Sequence, residues 1–394
     1  MKKQENNTSY GEDRLGRTGR RHGKAKSVLI VLGLLTAMVA VMYVTATLCV
    51  WIDRKMQSDA VEAAKALGLK DENGNDLEPD SPEAVGASAA GAVYSEAELE
   101  KKISEAVSSA VQEARQQAAS EVLDEIRGSL DAGDTLLEAL RPLYPDEMIV
   151  YSNGSYHFVP INYELKMNNY SEDNLNILES GEYQYMQDGQ VISHKGIDVS
   201  QHQGSIDWEK VAGDGVEFAF LRVGFRGYGT GRLVADETFE ANIKGAVSNG
   251  IKVGVYIYSQ AVNEEEVLEE AQFVLDKIAP YKVECPVVFD VERVAGANAR
   301  MNEISLEERT NLTLLFCQTI ENAGYKPMVY YNTEMGAVML DVATLENYDK
   351  WFAAYTDKFY YPYAYDVWQY SQSGSVAGIK GAVDLNISFV PLWE

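Results

Sequence analysis

The C-terminal half of this chain predicts an α/β fold, an irregular β/α barrel of the TIM type, and three observations carry that expectation. From Lys195 onward, short β-branched and aromatic runs alternate with amphipathic helical patterns, which favours a parallel sheet. About eight such runs fit into the last 200 residues, enough to close the sheet on itself. Acidic residues fall at the ends of several runs, where barrels of this kind keep their chemistry. At 394 residues the chain has room for more than one domain. The preceding half reads as a transmembrane helix, a helical stalk and a small β module.

Residues 1–26 form a basic tail with Lys2, Lys3, Arg14, Arg17, Arg20, Arg21, Lys24 and Lys26. Residues 27–52 hold no charge and are rich in Val, Leu, Ile, Met and Ala. About 20 apolar residues cross a bilayer, so this run predicts a single transmembrane anchor. The competing reading is a cleaved signal peptide, but the run exceeds a signal-peptide core and lacks a convincing small-residue cleavage pattern. The basic flank predicts a cytoplasmic N-terminus and an extracellular C-terminal bulk at the cell membrane.

Residues 53–147 read as a flexible linker and a stalk. Asp71 to Ala92 is acidic, contains Gly, Ala and Pro, and has little to bury. Ser95 and Glu98 then form a capping box. Leu99, Ile103, Ala106, Ala110, Ala114, Ala118, Val122 and Ile126 recur at helical steps, with Gly128 as the expected stop. The mostly alanine stripe fits a simple stalk better than a self-associating coiled coil. Residues 148–194 predict a small β module. Asn153-Gly154 marks one hairpin and Asp188-Gly189 offers a second. A spacer or a docking platform for protein partners suits it better than a catalytic unit.

Within the barrel, residues 195–394, strands are predicted at Gly196–Ser200, Glu217–Val223, Lys252–Ser259, Pro286–Glu292, Pro327–Asn332, Trp351–Tyr355, Asp366–Tyr370 and Ala382–Phe389. Helices are predicted at Ile206–Ala212, Asp236–Ser248, Glu264–Ile278 and Leu306–Asn322. Connections after Tyr370 are too short for full helices, so outer helices should be missing there.

The run Cys285-Pro-Val-Val-Phe289 ends in Asp290-Val291-Glu292. Strand side chains alternate, so the two acids share a face. Two carboxyls in one cavity repel, and burial disfavours charge, so at least one should hold its proton. A proton-holding acid beside an ionised one is what glycoside hydrolysis needs. A solvated strand end or an ion pair explains the tripeptide equally well. Asp198 ends the first strand and Asp384 lies on the eighth; closure makes those strands neighbours, with the fourth across from them. Four acids on three strands are hard to assign to solvation. Tyr258, Gln260, Tyr331, Asn332, Tyr355, Trp368, Gln369 and Tyr370 cluster at the same level. Such rings and amides suit the flat faces and hydroxyls of a glycan, although core packing suits any single ring.

Other chemistries find little support. Sixty Asp+Glu against 34 Lys+Arg give a net charge of −26, the opposite of a nucleic-acid footprint. Cys49, Cys285 and Cys317 form no C-x-x-C pair, which argues against a metal site or a disulfide framework; a single Cys285–Cys317 bridge stays open, with two buried free thiols the better fit. His22, His157, His194 and His202 lack metal-ligand spacing, and no G-x-S-x-G elbow is present. The loop from Gly224 to Gly231 lacks the Lys-Ser/Thr of a phosphate loop and reads as a cleft rim.

Several blocks in order, KGIDVSQHQG from Lys195, IDW from Ile206, FAFLRVG from Phe218, GVYIYS from Gly254, FDVE from Phe289, WQYS from Trp368 and VDLN from Val383, resemble the family 25 glycoside hydrolases, the muramidase-type lysozymes. The resemblance covers roughly Lys195 to Glu394. It implies an irregular β/α barrel acting on peptidoglycan glycan strands at the β-1,4 bond between N-acetylmuramic acid and N-acetylglucosamine. It also implies Glu292 as general acid, Asp290 as its catalytic partner, Asp198 and Asp384 as supporting acids, and Arg222 and Asn386 among the substrate-binding residues. No metal or organic cofactor is required. Rival readings are a catalytically inactive wall-glycan-binding barrel and a glycosidase for a related glycan such as chitin.

Overall fold

The protein is described by a computed structural model over residues 96–294 and 299–393. The basic tail, the predicted membrane span and the linker therefore lie outside the described residues. Among the described residues no helix is long and apolar enough to cross a membrane. The chain divides into two units, residues 1–120 and 121–394.

In the first unit the described residues lie on helix α1 (Glu96–Asp131). Its 36 residues make about 54 Å at 1.5 Å per residue. Gly128, the expected stop, does not end it. A glycine inside a helix costs only about 1 kcal/mol against alanine, and the helix runs on to Asp131. Gly133, at φ +100°, is the residue that stops it. The Gly133 N–H donates to the Leu130 carbonyl and the Asp134 N–H to the Ser129 carbonyl, each at 3.1 Å, a Schellman ending that uses the left-handed glycine.

The second unit continues with α2 (Leu136–Leu140), capped by Thr135 and Glu138, which hydrogen-bond each other's backbone N–H groups. Strands β1 (Glu147–Ser152) and β2 (Ser155–Pro160) pair antiparallel around Asn153 and Gly154, both at positive φ. Strands β3 (Leu175–Ile177), β4 (Tyr183–Gln187) and β5 (Gln190–Val191) form a separate small sheet, with Asp188 and Gly189 at positive φ in its second turn. The stretch read as one β module is thus two sheets. Met148 from one and Tyr185 from the other belong to the same buried cluster as the barrel's outer shell.

Eight strands close the barrel: β6 (His194–Val199), β7 (Phe218–Arg226), β9 (Lys252–Ser259), β10 (Val287–Val291), β11 (Pro327–Asn332), β12 (Asp349–Ala353), β13 (Val367–Gly374) and β14 (Val383–Ser388). Strand β8 (Leu233–Ala235) is a hairpin arm on β7. Neighbours from β6 through β13 run parallel. Strand β14 runs antiparallel to both β13 and β6, a departure from the parallel sheet that alternating elements favour. Strand β13 ends at Gly374 and β14 begins at Val383, leaving eight residues (375–382) between them. A parallel return needs a crossover of a dozen or more, so the chain turns straight back. Four helices pack outside: α3 (Trp208–Gly213), α4 (Phe239–Ser248), α5 (Glu264–Ile278) and α6 (Leu306–Asn322).

The strands separate two apolar shells. One lies between strands and helices, with Val267, Ala271, Val274 and Ile278 of α5 at helical spacing. The other fills the barrel with Phe218, Phe220, Val288, Met328, Trp351 and Val367. The Phe220 and Trp351 rings stack at 4.5 Å and make a floor beneath the open end. A buried ion pair fixes α5 to the barrel: Arg226 Nε donates to Glu270 Oε1 at 2.6 Å, and Ser259 Oγ donates to the other carboxylate oxygen at 2.7 Å. Burial pushes the Glu270 carboxyl up to about 7. Cys285 and Cys317 are both buried free thiols.

Gly254 makes room for that floor. A Cβ there would stand 2.5 Å from the Phe220 ring and 2.8 Å from the Pro286 carbonyl oxygen. Gly254→Ala should therefore cost about 1–3 kcal/mol, the usual range for overpacking. Thermal and urea unfolding check this; an unchanged midpoint would mean the floor shifts freely.

Candidate active site

The alternation of strand side chains decides what faces the barrel interior. Counting by twos from Asp290 places Asp198, Arg222, Tyr256, Tyr258, Tyr330 and Gln369 on the inner face, in register with the floor residues Phe220, Val288 and Trp351. Asp384 sits directly opposite Asp198 in the β14–β6 register. Because β14 is antiparallel, its first residues reach the mouth where the parallel strands end. Glu292 follows β10 by one residue. All four acids thus gather at one mouth.

Asp198 is the most constrained of them, with 4% of its surface exposed. Its Oδ2 accepts the Gln369 amide at 2.8 Å and the Asn386 amide at 2.9 Å. Those amides are themselves oriented. The Tyr330 and Tyr355 hydroxyls donate to Gln369 Oε1 at 2.9 and 3.0 Å, and Trp351 Nε1 donates to Asn386 Oδ1 at 2.8 Å.

Burial above all, then the charge of Asp384, holds the Asp198 carboxyl well above the usual carboxylate range, against the pull of both amides. Asp290 is raised in the same way by burial, then by the charges of Glu292 and Asp198, while Arg222 opposes the shift. One Asp290 oxygen, Oδ1, is buried without a hydrogen-bond partner. Glu292 is raised by burial, lowered by the neighbouring Tyr330 hydroxyl and raised by Asp384. Asp384 is raised by burial and lowered by its hydrogen bond with Asp198. The mouth therefore favours carboxyls that keep protons.

Glu292 opens onto a cavity of about 420 Å³, shared with Tyr330, Asn332 and Tyr355. Tyr355 is 52% exposed and offers a ring to whatever fills the space. The Tyr258 hydroxyl is raised by burial, then by the charges of nearby Asp290 and Glu292. Among the described residues no cluster of His, Cys, Asp and Glu could hold a metal ion.

The other residues expected at the site divide by the parity of their strands. Tyr331, Trp368 and Tyr370 belong to the outer shell, a correction to their expected substrate-binding place. The Tyr361 hydroxyl donates to the Tyr331 hydroxyl, Trp368 Nε1 donates to the Ala354 carbonyl, and Tyr370 stacks on Tyr183 at 4.2 Å. A strand end such as Trp368-Gln369-Tyr370 can turn only its middle residue inward.

Gln260, Gln369 and Asn386 are at the site but fully buried, and their amides serve the protein. Gln260 Nε2 donates to the Glu292 carbonyl at 3.3 Å, and its Oε1 accepts the Met301 N–H. Arg222 pairs with Asp236, Nε to Oδ2 at 2.9 Å, and its Nη2 is buried with no hydrogen-bond partner. Sequence reading passed over Tyr256, Tyr330 and Trp351. Counting by twos from Asp290 across the paired strands would have found them.

The family model described as "Glycosyl hydrolases family 25" matches residues 197–379. The chain is 31% identical over 193 residues to the autolytic lysozyme of Clostridium acetobutylicum, covering 49% of this chain and 55% of that protein. It is 30% identical over 206 residues to the uncharacterized protein YegX of Escherichia coli strain K12, covering 49% of this chain and 68% of YegX. A solved family 25 glycosyl hydrolase from Bacillus anthracis aligns over 54% of this chain and 96% of that structure, at 23% identity and a TM-score of 0.44. The chain thus spans about half the length of the Clostridium relative.

Asp290 binds its proton more tightly folded than unfolded, since burial raises its pKa. Such a group weakens stability as pH climbs from the unfolded carboxylate range, about 3.9 for aspartate, through the folded value. Asp290→Asn should therefore raise the melting temperature by a few degrees at neutral pH. The gain should vanish near pH 3, where both states carry the proton. Melting curves across pH check the sign; a variant less stable at pH 7 would show that the charge is compensated.

Proposed function

This chain belongs to family 25 of the glycosyl hydrolases, and from that premise we propose that it is a muramidase cleaving the β-1,4 bond between N-acetylmuramic acid and N-acetylglucosamine in peptidoglycan. The observation that carries the reading is Glu292, a carboxyl with a raised pKa opening onto a cavity at a mouth shared with three other acids. A general acid must hold its proton at working pH and meet the leaving oxygen in the cleft. Glu292 meets both demands. It protonates the glycosidic oxygen, then takes a proton from the incoming water.

Asp290 has a carboxyl oxygen that no protein group satisfies. The 2-acetamido group beside the cleaved bond carries an N–H, and Asp290 accepts it once the side chains that cover this oxygen give way to substrate. Asp290 then orients the acetamido group for attack on the anomeric carbon, while Asp198 and Asp384 support it from the facing strands. The name of the Clostridium relative, an autolytic lysozyme, agrees with this substrate class. Residues 27–52 anchor the enzyme to the cell membrane with the barrel outside, suited to local wall remodelling; protease protection of the basic tail in intact cells tests that placement.

Full-length protein incubated with purified peptidoglycan should release muramic acid at the new reducing ends; glucosamine there, or no release, counts against the assignment. Glu292→Gln should lower kcat by roughly 10²–10⁴, the usual worth of a general acid. If that variant kept its rate, a different residue would be the acid.

A further inference from the structure

The cavity beside Glu292 is not walled by the barrel alone. Leu137 and Arg141, at and just after α2, together with Ile149, Val150 and Tyr151 of β1, line its other side. These residues precede the 197–379 span of the family match. Tyr151 is exposed and sets its ring edge-on against Tyr156 at 5.0 Å, so the wall carries an aromatic face as well as an aliphatic one.

The charges around this cavity do not all cancel. Arg293 and Glu334, both lining it, form an ion pair at 2.7 Å. Glu292 tends to keep its proton. Arg141 makes no ion pair among the described residues. Its guanidinium lies flat on the Tyr360 ring, 3.2 Å from the centroid, and its Nη1 is buried with no hydrogen-bond partner. The nearby acid on its own helix, Glu138, feels that charge but spends its carboxylate on the Thr135 cap. In a chain of net charge −26, the cleft therefore keeps a cation held on a ring with no counter-charge in an ion pair among the described residues. A guanidinium held flat on a ring still offers its edge, and a carboxylate matches that edge in geometry and charge.

We propose that the segment from Leu137 to Tyr151 is an added substrate subsite, in which Arg141 binds a carboxylate carried by the muramic-acid unit beside the cleaved bond. The inference rests on the muramidase reading and names what that substrate offers here. The carboxylate has two possible sources, the lactyl acid of a peptide-free strand or an acid of the attached peptide. The hydrophobic wall and Tyr151 take the neighbouring sugar face.

The test measures binding by the full-length Glu292→Gln protein, so that cleavage does not enter. Its ligands are peptide-free glycan strands, peptide-bearing strands, and neutral β-1,4 N-acetylglucosamine oligomers. Adding Arg141→Gln should weaken one or both anionic ligands about tenfold while leaving the neutral oligomers unchanged. Arg141→Lys, which keeps the charge and loses the fork, should fall between. Loss on peptide-free strands assigns the lactyl acid; loss confined to peptide-bearing strands assigns the peptide. An equal loss on neutral and anionic ligands, or no loss at all, overturns the subsite. Intact neutral binding in the variant shows that it is folded. Reducing-end analysis on the protein with Glu292 intact is scored separately, so a failure to cleave would sink the muramidase reading and leave the carboxylate result standing.

Discussion

The two amide hydrogen bonds onto Asp198 Oδ2 are the constraint from which the rest of the site follows. Gln369 comes from β13 and Asn386 from β14, so a single carboxyl oxygen ties together three adjacent strands of the barrel, β6, β14 and β13. An amide can point its N–H₂ at Asp198 only if its carbonyl oxygen is also satisfied, since the two ends exchange on a flip. Tyr330 and Tyr355 satisfy Gln369 Oε1, and Trp351 satisfies Asn386 Oδ1. The network thus reaches β11 and β12 and fixes the rings that shape the cavity. Closing the barrel and building the mouth are one event.

That arrangement works against stability. Each raised carboxyl at the mouth is raised first by burial, and an acid that binds its proton more tightly folded than unfolded weakens the fold once the solution pH exceeds its unfolded value. Compensation lies elsewhere, in a barrel interior of stacked aromatics and in buried groups that make several hydrogen bonds at once. Arg309 of α6 is an example. Its guanidinium donates to the carbonyls of Met301, Ile304 and Met339, tying the helix to the segments after β10 and β11.

Much of this was legible in the chain. Lys252–Ser259, Pro327–Asn332, Glu264–Ile278 and Leu306–Asn322 are the same elements in sequence and structure, because each combines a clear period with a cap or a breaker. The gathering of Asp198, Asp290 and Glu292 was legible from strand ends and barrel closure, whereas Asp384, at the start of its strand, reaches the mouth only because β14 is antiparallel. Which aromatic side chains face inward was less so. Tyr330 and Tyr331 are adjacent tyrosines, and only the register of β10 with β11 tells which one looks at Glu292. The direction of β14 was readable from an eight-residue connection, yet the expectation of alternating parallel units overrode it. Gly128 looked like a stop because composition marks a glycine, whereas what ends a helix is the backbone conformation at Gly133.

The acidity of the whole molecule and the charge of the cleft are separate matters. A net charge of −26 sets a field that salt screens within about 8 Å at physiological ionic strength, so an approaching anionic polymer meets the local groups once it is at the surface. Those local groups are not anionic in effect. Asp198 and Asp290 are driven toward the neutral form by their surroundings, Glu334 is paired with Arg293, and Arg141 stands against Tyr360 with no counter-charge of its own. Burial, which makes the acids reluctant to ionise, also removes the repulsion they would exert on a negatively charged strand. The same desolvation that raises the Glu292 carboxyl would therefore, under the proposed reading, let the cleft accept a negatively charged strand.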